Sequence, residues 1–372
     1  MARLLVLLIF LLSGAAAHAQ RAGTLISATP VTSQVAGAKA WRILYWTQDD
    51  RNRLFQATGM VVAPDTLPQG PLPVLAWTHG TWGIQDACSP SASPNFWVQT
   101  PALQALQSGM TIVAPDYIGL GGGGEMHPFL VGVATGQAVL DSVRAAQAIK
   151  GAGVGRRFAV WGESQGGHAA LWTAQVQPTY APDLQLVGAA AAAPPTNLPA
   201  NLRQAPNAGA RTFFTAYIAA SWSKHYGIPL TFVRPLSRGI INNLATKCIS
   251  VDTKPNVMTL LGIAPLQRNL RDVDLTATPP WSQYASLNSP QTVSFSVPIL
   301  IAQNSGDQLV APQVTRTYAQ TLCRNRGQKV RWIDLNGSGG HVTSGKDSAA
   351  QTLDWIAARL AGTPAPSDCG RF

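Results

Sequence analysis

The 372-residue chain is 46% hydrophobic and 12% charged, with 34 Gly, 27 Pro and no internal repeat. This excludes collagen-like, low-complexity and disordered readings and leaves one large globular domain with an insertion, or two ordinary domains. Lys and Arg outnumber Asp and Glu by 27 to 17, a net charge of +10. The basic residues are scattered and their densest set, Arg324, Arg326, Lys329 and Arg331, is short, so nucleic acid is not an expected partner. The surplus suits adsorption to anionic envelope components, or solubility alone.

The amino terminus reads as an export signal over residues 1–19. Arg3 supplies the positive start, Leu4 to Leu12 an unbroken apolar run, and Ala17, His18 and Ala19 the small-x-small pattern before a cut at Gln20. The run is short for a spanning helix, which needs about 20 residues, so a secreted or periplasmic product is expected rather than an anchored one. Trp41 to Trp46 and Leu54 to Ala63 alternate like a hairpin around polar Gln48 to Asn52. Then come short apolar runs of another kind: Val74 to Trp77, Thr111 to Ala114, Phe158 to Trp161, Leu186 to Ala189, Pro298 to Ala302 and Val330 to Asp334. Each ends in a loop rich in Gly, Pro, Asp or Asn, as buried parallel strands do. Helical periodicity lies between them at Gly136 to Ile149 and at Ser348 to Leu360. The alternation predicts an α/β fold, a mostly parallel twisted sheet with helices on both faces. It fails between about 197 and 290, where helix-like pieces at Thr212 to Lys224, Leu236 to Cys248 and Val257 to Leu261 predict a helical insertion above the sheet. The expected division is core over 20–196, cap over 197–290 and core again over 291–372.

The chemistry concentrates in one segment. Phe158 to Trp161 reads as a strand, Gly162-Glu163-Ser164-Gln165-Gly166 follows, and an alanine-rich helix begins, which is a nucleophile elbow in the context it requires. A Ser between strand end and helix start adopts a strained backbone, and the flanking glycines give the turn room. The Gln165 backbone N–H, at a helix amino terminus, then points at any oxyanion formed on a substrate. In this architecture an acid and then a His follow downstream. Only His225 and His341 lie beyond residue 168. His341 sits in a glycine-rich loop after a strand and is the expected general base, whereas His225 lies in the insertion, where a surface position is expected. Asp307, in the turn after the strand at 298–302, is the expected acid that orients His341, with Asp334 as its competitor. A second oxyanion donor belongs to the loop Trp77-Thr78-His79-Gly80-Thr81-Trp82-Gly83, at Thr81 or its neighbours Gly80 and Trp82.

Other features carry less. Gly121 to Gly124 lacks the residues of a phosphate cradle and reads as a loop. His79, His127 and His168 lie in separate elements with no acidic residue at ligand spacing, so no metal site is expected. Trp77, Trp82 and Trp97 read as core more readily than as an acyl pocket, and packing is at least as good a role as substrate contact for Asp116, Tyr117, His127 and Pro128. Four cysteines in an exported chain, none in a zinc pattern, predict two disulfides, and spacing alone leaves three connectivities open.

These residues resemble the secretory lipase family of α/β-hydrolases. The likeness runs through Gly59 to Pro64, Thr78-His79-Gly80-Thr81-Trp82-Gly83 with Asp86 to Pro90, Ala114-Pro115-Asp116-Tyr117 with His127 to Leu130, Leu140 to Ala146, and Gly162 to Leu171, and spans about residues 40–360. The resemblance implies an exported esterase or lipase with a helical lid, ester or lipid substrates, peripheral contact with lipid interfaces, and no cofactor. It assigns Ser164 as nucleophile, Asp307 as acid and His341 as base. It also implies the pairing Cys88 to Cys248, tying lid to core, and Cys323 to Cys369, fastening the tail. The rivals are an acyltransferase or small-amide peptidase on the same triad. A non-catalytic binding module is the remaining alternative, and it would require a broken one.

Overall fold

The computed structural model describes residues 20–249, 267–268, 270 and 274–372. The signal segment and the helix expected at Val257 to Leu261 lie outside them.

Among the described residues nine strands form one sheet, in the order β1-β2-β3-β5-β4-β6-β7-β8-β9. The strands are β1 (Leu25–Val31), β2 (Ala38–Gln48), β3 (Leu54–Pro64), β4 (Leu72–Thr78), β5 (Thr111–Pro115), β6 (Val154–Glu163), β7 (Gln185–Ala192), β8 (Ile299–Asn304) and β9 (Val330–Leu335). The expected hairpin is β2 and β3, and β1 adds an antiparallel edge strand that its sequence did not announce. From β5 to β9 the sheet is parallel, as the apolar runs required.

Alternation along the strands feeds two cores. Val74, Ala76, Val113, Phe158, Val160, Ala189, Ala191, Ile299 and Ile301 face helices α1 (Gly132–Ala146) and α2 (Gln165–Tyr180) and a later helix. Leu75, Trp77, Ile112, Ala159, Trp161, Ala190, Leu300 and Ile333 face the opposite way, onto Phe96, Leu103, Leu106 and the carboxy-terminal helix. A strand covered on both faces buries every residue, which is why these runs show no polar alternation.

Between β7 and β8 lie α3 (Leu198–Gln204), α4 (Ala208–Tyr226), α5 (Pro235–Ala245) and α6 (Trp281–Leu287), with no strand among the described residues there. They enclose a third apolar cluster of Tyr217, Trp222, Ile241, Leu244 and Trp281, closed from below by Phe129 and Leu130. After β8 come α7 (Pro312–Cys323), which completes the first core, and, past β9, α8 (Ser344–Leu360), which completes the second. Cys88 bonds Cys248 and Cys323 bonds Cys369, the pairing the resemblance implied. No helix among the described residues is long and apolar enough to cross a membrane.

Candidate active site

Ser164 stands between β6 and α2 with φ 53° and ψ −121°, a conformation that non-glycine residues rarely adopt. Its backbone N–H donates to the Ala192 carbonyl at the end of β7, 2.8 Å away. The end of β4 lies directly under the turn, and the Thr78 hydroxyl donates to the Gly166 carbonyl, 2.7 Å. A Cβ on Gly162 or Gly166 would collide with Thr78, so the two glycines are required by close approach as well as by the turn.

Three side chains converge on this crest. His341 Nε2 lies 2.8 Å from Ser164 Oγ, and His341 Nδ1 lies 2.7 Å from Asp307 Oδ2. The carboxylate can only accept, so Nδ1 carries the proton and Nε2 accepts from the serine hydroxyl. Asp307 is buried, and its Oδ1 accepts from the backbone N–H groups of Leu309 (2.8 Å) and Val310 (2.9 Å) while Oδ2 also accepts from Gln303 Nε2 (3.0 Å). Burial alone would raise its pKa. The charge and hydrogen bond of His341 and the two backbone donors outweigh burial and hold the carboxyl below the usual carboxylate range. A hydroxyl, an imidazole and a buried carboxylate in this line can deprotonate the hydroxyl as it attacks a carbonyl carbon. Asp334 is elsewhere: its carboxylate accepts from Trp332 Nε1 on the exposed surface.

Glu163, beside the serine, has its Oε2 accepting from Gly345 N–H, 3.0 Å, in the first turn of α8. The helix amino terminus thus receives a carboxylate next to the crest, and a side chain at position 345 would strike it.

Thr81 and Gln165 line the same cavity as Ser164, about 40 Å³ in volume, with apolar walls from Phe129, Leu130, Phe214, Ile218 and Leu309. Among the described residues its lining includes none of Trp77, Trp82 and Trp97. Trp77 instead packs edge to face on Trp161, 4.9 Å between rings, inside the second core.

Sequence reasoning missed a column of rings beneath the loop that follows β4. His127 Nδ1 donates to the Ile118 carbonyl (2.8 Å), which leaves Nε2 to accept from the Gln165 side-chain amide (2.6 Å). Burial pushes His127 down to about 3, so the ring stays neutral. It stacks on Tyr117, which lies against His79 and donates its hydroxyl to the His79 carbonyl, 3.1 Å. Asp116 is a packing residue, accepting from Thr58, Ser89 and Ser91. His225 corrects an expectation: it is buried, with Nε2 2.8 Å from Asp50 Oδ1, because the β2–β3 turn folds against α4. Asp49, Asp50 and His225 form a cluster close enough to hold a metal ion. The Asp49 carboxylate is already taken by Arg53 and by the Arg51 and Arg53 N–H groups.

The family model described as "Secretory lipase" matches residues 98–368. Lipase 10 of Candida albicans is 26% identical over 369 residues, covering 89% of this chain and 74% of that protein. The trichothecene C-3 esterase of Fusarium sporotrichioides is 30% identical over 198 residues, 47% of this chain and 43% of that protein. Among solved structures, Candida antarctica lipase A in its closed state superposes with a TM-score of 0.77 at 19% identity, covering 94% of this chain and 85% of that one. The rice cell wall degrading esterase LipA from Xanthomonas oryzae gives 0.73 at 19%, covering 91% and 100%. Both have the α/β-hydrolase fold, which is the fold of this chain.

Proposed function

The chain belongs to the secretory lipase family and is a carboxylic ester hydrolase, and on that premise we propose that it works as an exported serine esterase through an acyl-enzyme on Ser164. The continuous line Ser164–His341–Asp307, at 2.8 and 2.7 Å, carries the reading.

In this mechanism Ser164 Oγ attacks the ester carbonyl as His341 Nε2 takes its proton. Asp307, kept ionised by His341 and the two backbone donors, stabilises the imidazolium and fixes its tautomer. The negative oxygen of the tetrahedral intermediate is received by the backbone N–H groups of Gln165 and Thr81, each worth about 3 kcal/mol in comparable sites. His341 then protonates the leaving alcohol, and water repeats the sequence to release the acid. The ring column beneath the loop holds the Gln165 side chain aside and the loop backbone in place. Residues 197–290 act as the cap, residues 20–196 and 291–372 as the core, and export with cleavage before Gln20 delivers a chain whose two disulfides suit an oxidising compartment.

The small apolar cavity favours short acyl chains. Initial rates on 4-nitrophenyl esters from acetate to palmitate test both parts. The expected result is activity highest on short chains and abolished by Ser164→Ala. A variant that keeps the wild-type rate overturns the mechanism, and rates sustained to palmitate overturn the short-chain preference.

A further inference from the structure

Two openings meet at α3 and α4. One is the cavity over Ser164. The other is an open basin of about 540 Å³ beyond Leu202 and Arg211, two residues that line both. The catalytic cavity and the basin are thus neighbours across these two side chains.

Among the described residues three guanidinium groups line it, Arg203, Arg211 and Arg268, against one carboxylate, Asp274. Among the described residues Arg203 Nη1 donates to the Thr276 hydroxyl and Arg211 Nη1 to the Ala205 carbonyl, both neutral oxygens. Asp274 is engaged locally, its Oδ1 accepting from Thr276 N–H at 2.7 Å and from the Thr276 hydroxyl. Among the described residues none of the three arginines forms an ion pair. The concentration of charge extends beyond the basin. Residues 197–290 hold nine basic and three acidic residues, so this quarter of the chain carries six of its ten net positive charges. Three like charges around one opening repel one another. Guanidinium forks with free N–H groups are the side chains best matched to planar or tetrahedral oxyanions.

We propose that the basin is an anion-recognition subsite, and that the preferred substrates are esters whose non-reacting arm carries a carboxylate, phosphate or sulfate. This deepens the esterase reading and rests on it. An uncharged ester fills the catalytic cavity but brings the arginines no anionic partner. An anionic arm gains charge-assisted hydrogen bonds at the point where the ester is already held for attack.

Matched esters test the proposal on the mature protein. 4-Nitrophenyl hexanoate is compared with the 4-nitrophenyl monoester of adipic acid, which puts a carboxylate on the acyl arm. Phenyl butyrate is compared with 4-butyryloxybenzoate, which puts one on the alcohol arm. The expected result is a kcat/KM about tenfold higher for the anionic member of one pair. That ratio collapses toward one in Arg203→Gln/Arg211→Gln. It persists in Arg324→Gln/Arg326→Gln, which removes the same charge from the far surface and separates a local subsite from attraction by net charge. If the basin variant fails to fold, wild type decides: the ratio falls several-fold in about 0.5 M sodium chloride. No preference in either pair, a preference indifferent to salt, or one abolished equally by the far-surface substitutions overturns the subsite. Failure to hydrolyse any of the four esters overturns the esterase reading itself, a result distinct from hydrolysis without charge preference.

Discussion

At the crest of the sheet the parts that position Ser164 are backbone groups or side chains pinned by backbone: the Ala192 carbonyl, Thr78 against Gly166, and the N–H groups on Asp307. The helices between β7 and β8, the proposed cap, are held by side chains reaching across long stretches of sequence. Ser221 donates to the His127 carbonyl at 2.7 Å, Trp222 Nε1 to Phe129 at 2.8 Å, and His225 meets Asp50. Gly132 N–H donates to Asn288 Oδ1, and the Cys88–Cys248 bridge spans 160 residues of sequence. In the proposed mechanism the crest is the frame that fixes the chemistry, and the proposed cap is an attachment held mainly through side chains. Chemistry should respond to changes in the first, and selectivity and local stability to changes in the second.

The sharpest contrast is expected from Ser164→Ala and His341→Ala, which should each lower kcat by about ten-thousand-fold or more without shifting Tm, with Asp307→Asn costing about as much. Steady-state kinetics beside a thermal melt read both halves of that statement.

Acid should act on the seam between the two regions. His127 and His168, the second donating to the Asn288 carbonyl of the cap at 2.7 Å, are pushed down by burial to about 3 and about 4. In the unfolded chain both titrate near 6.5, so below that pH the unfolded state binds the additional protons, and stability falls as pH falls towards 4. Each group contributes about 1.4 kcal/mol per pH unit inside its window. Urea unfolding at pH 7, 5.5 and 4.5 measures the slope, which His168→Gln should flatten.

Removing the cap staple with Cys88→Ser/Cys248→Ser should lower stability by about 2–4 kcal/mol. Unlike the triad substitutions, it should leave labelling of Ser164 by a fluorophosphonate intact, as intact-mass measurement would report. The smallest effect belongs to the cavity wall. Phe214→Ala should move the acyl-length optimum upward and change kcat/KM by only about threefold on acetate, read from the same ester series.

The crest was legible in the sequence because its parts are local. Strand, elbow and helix are contiguous from 158 to 171, and the Asp307 and His341 loops follow strands whose apolar runs stand out. Gln303, a further donor to Asp307, carried no signal, because its role depends on where the end of β8 lies relative to the turn. The edge strand β1 escaped because Leu25–Val31 is mostly exposed and lacks a clean alternation. In the cap, α4 and α5 were anticipated, but α3 and α6 were not, since seven-residue helices carry too few turns to establish a period. The His79–Tyr117–His127–Gln165 column joins residues up to 38 positions apart along each hydrogen bond, and the burial of His225 depends on a hairpin 175 residues away. Neither leaves a local pattern.

The most direct test of the central claim is covalent. Wild type, Ser164→Ala and His341→Ala are incubated with a fluorophosphonate, and the site of any adduct is mapped by peptide mass spectrometry. The account predicts rapid, stoichiometric modification of Ser164 in wild type, none in Ser164→Ala and strongly slowed labelling in His341→Ala. Modification of a different residue, or ester hydrolysis that survives Ser164→Ala unchanged, would contradict it.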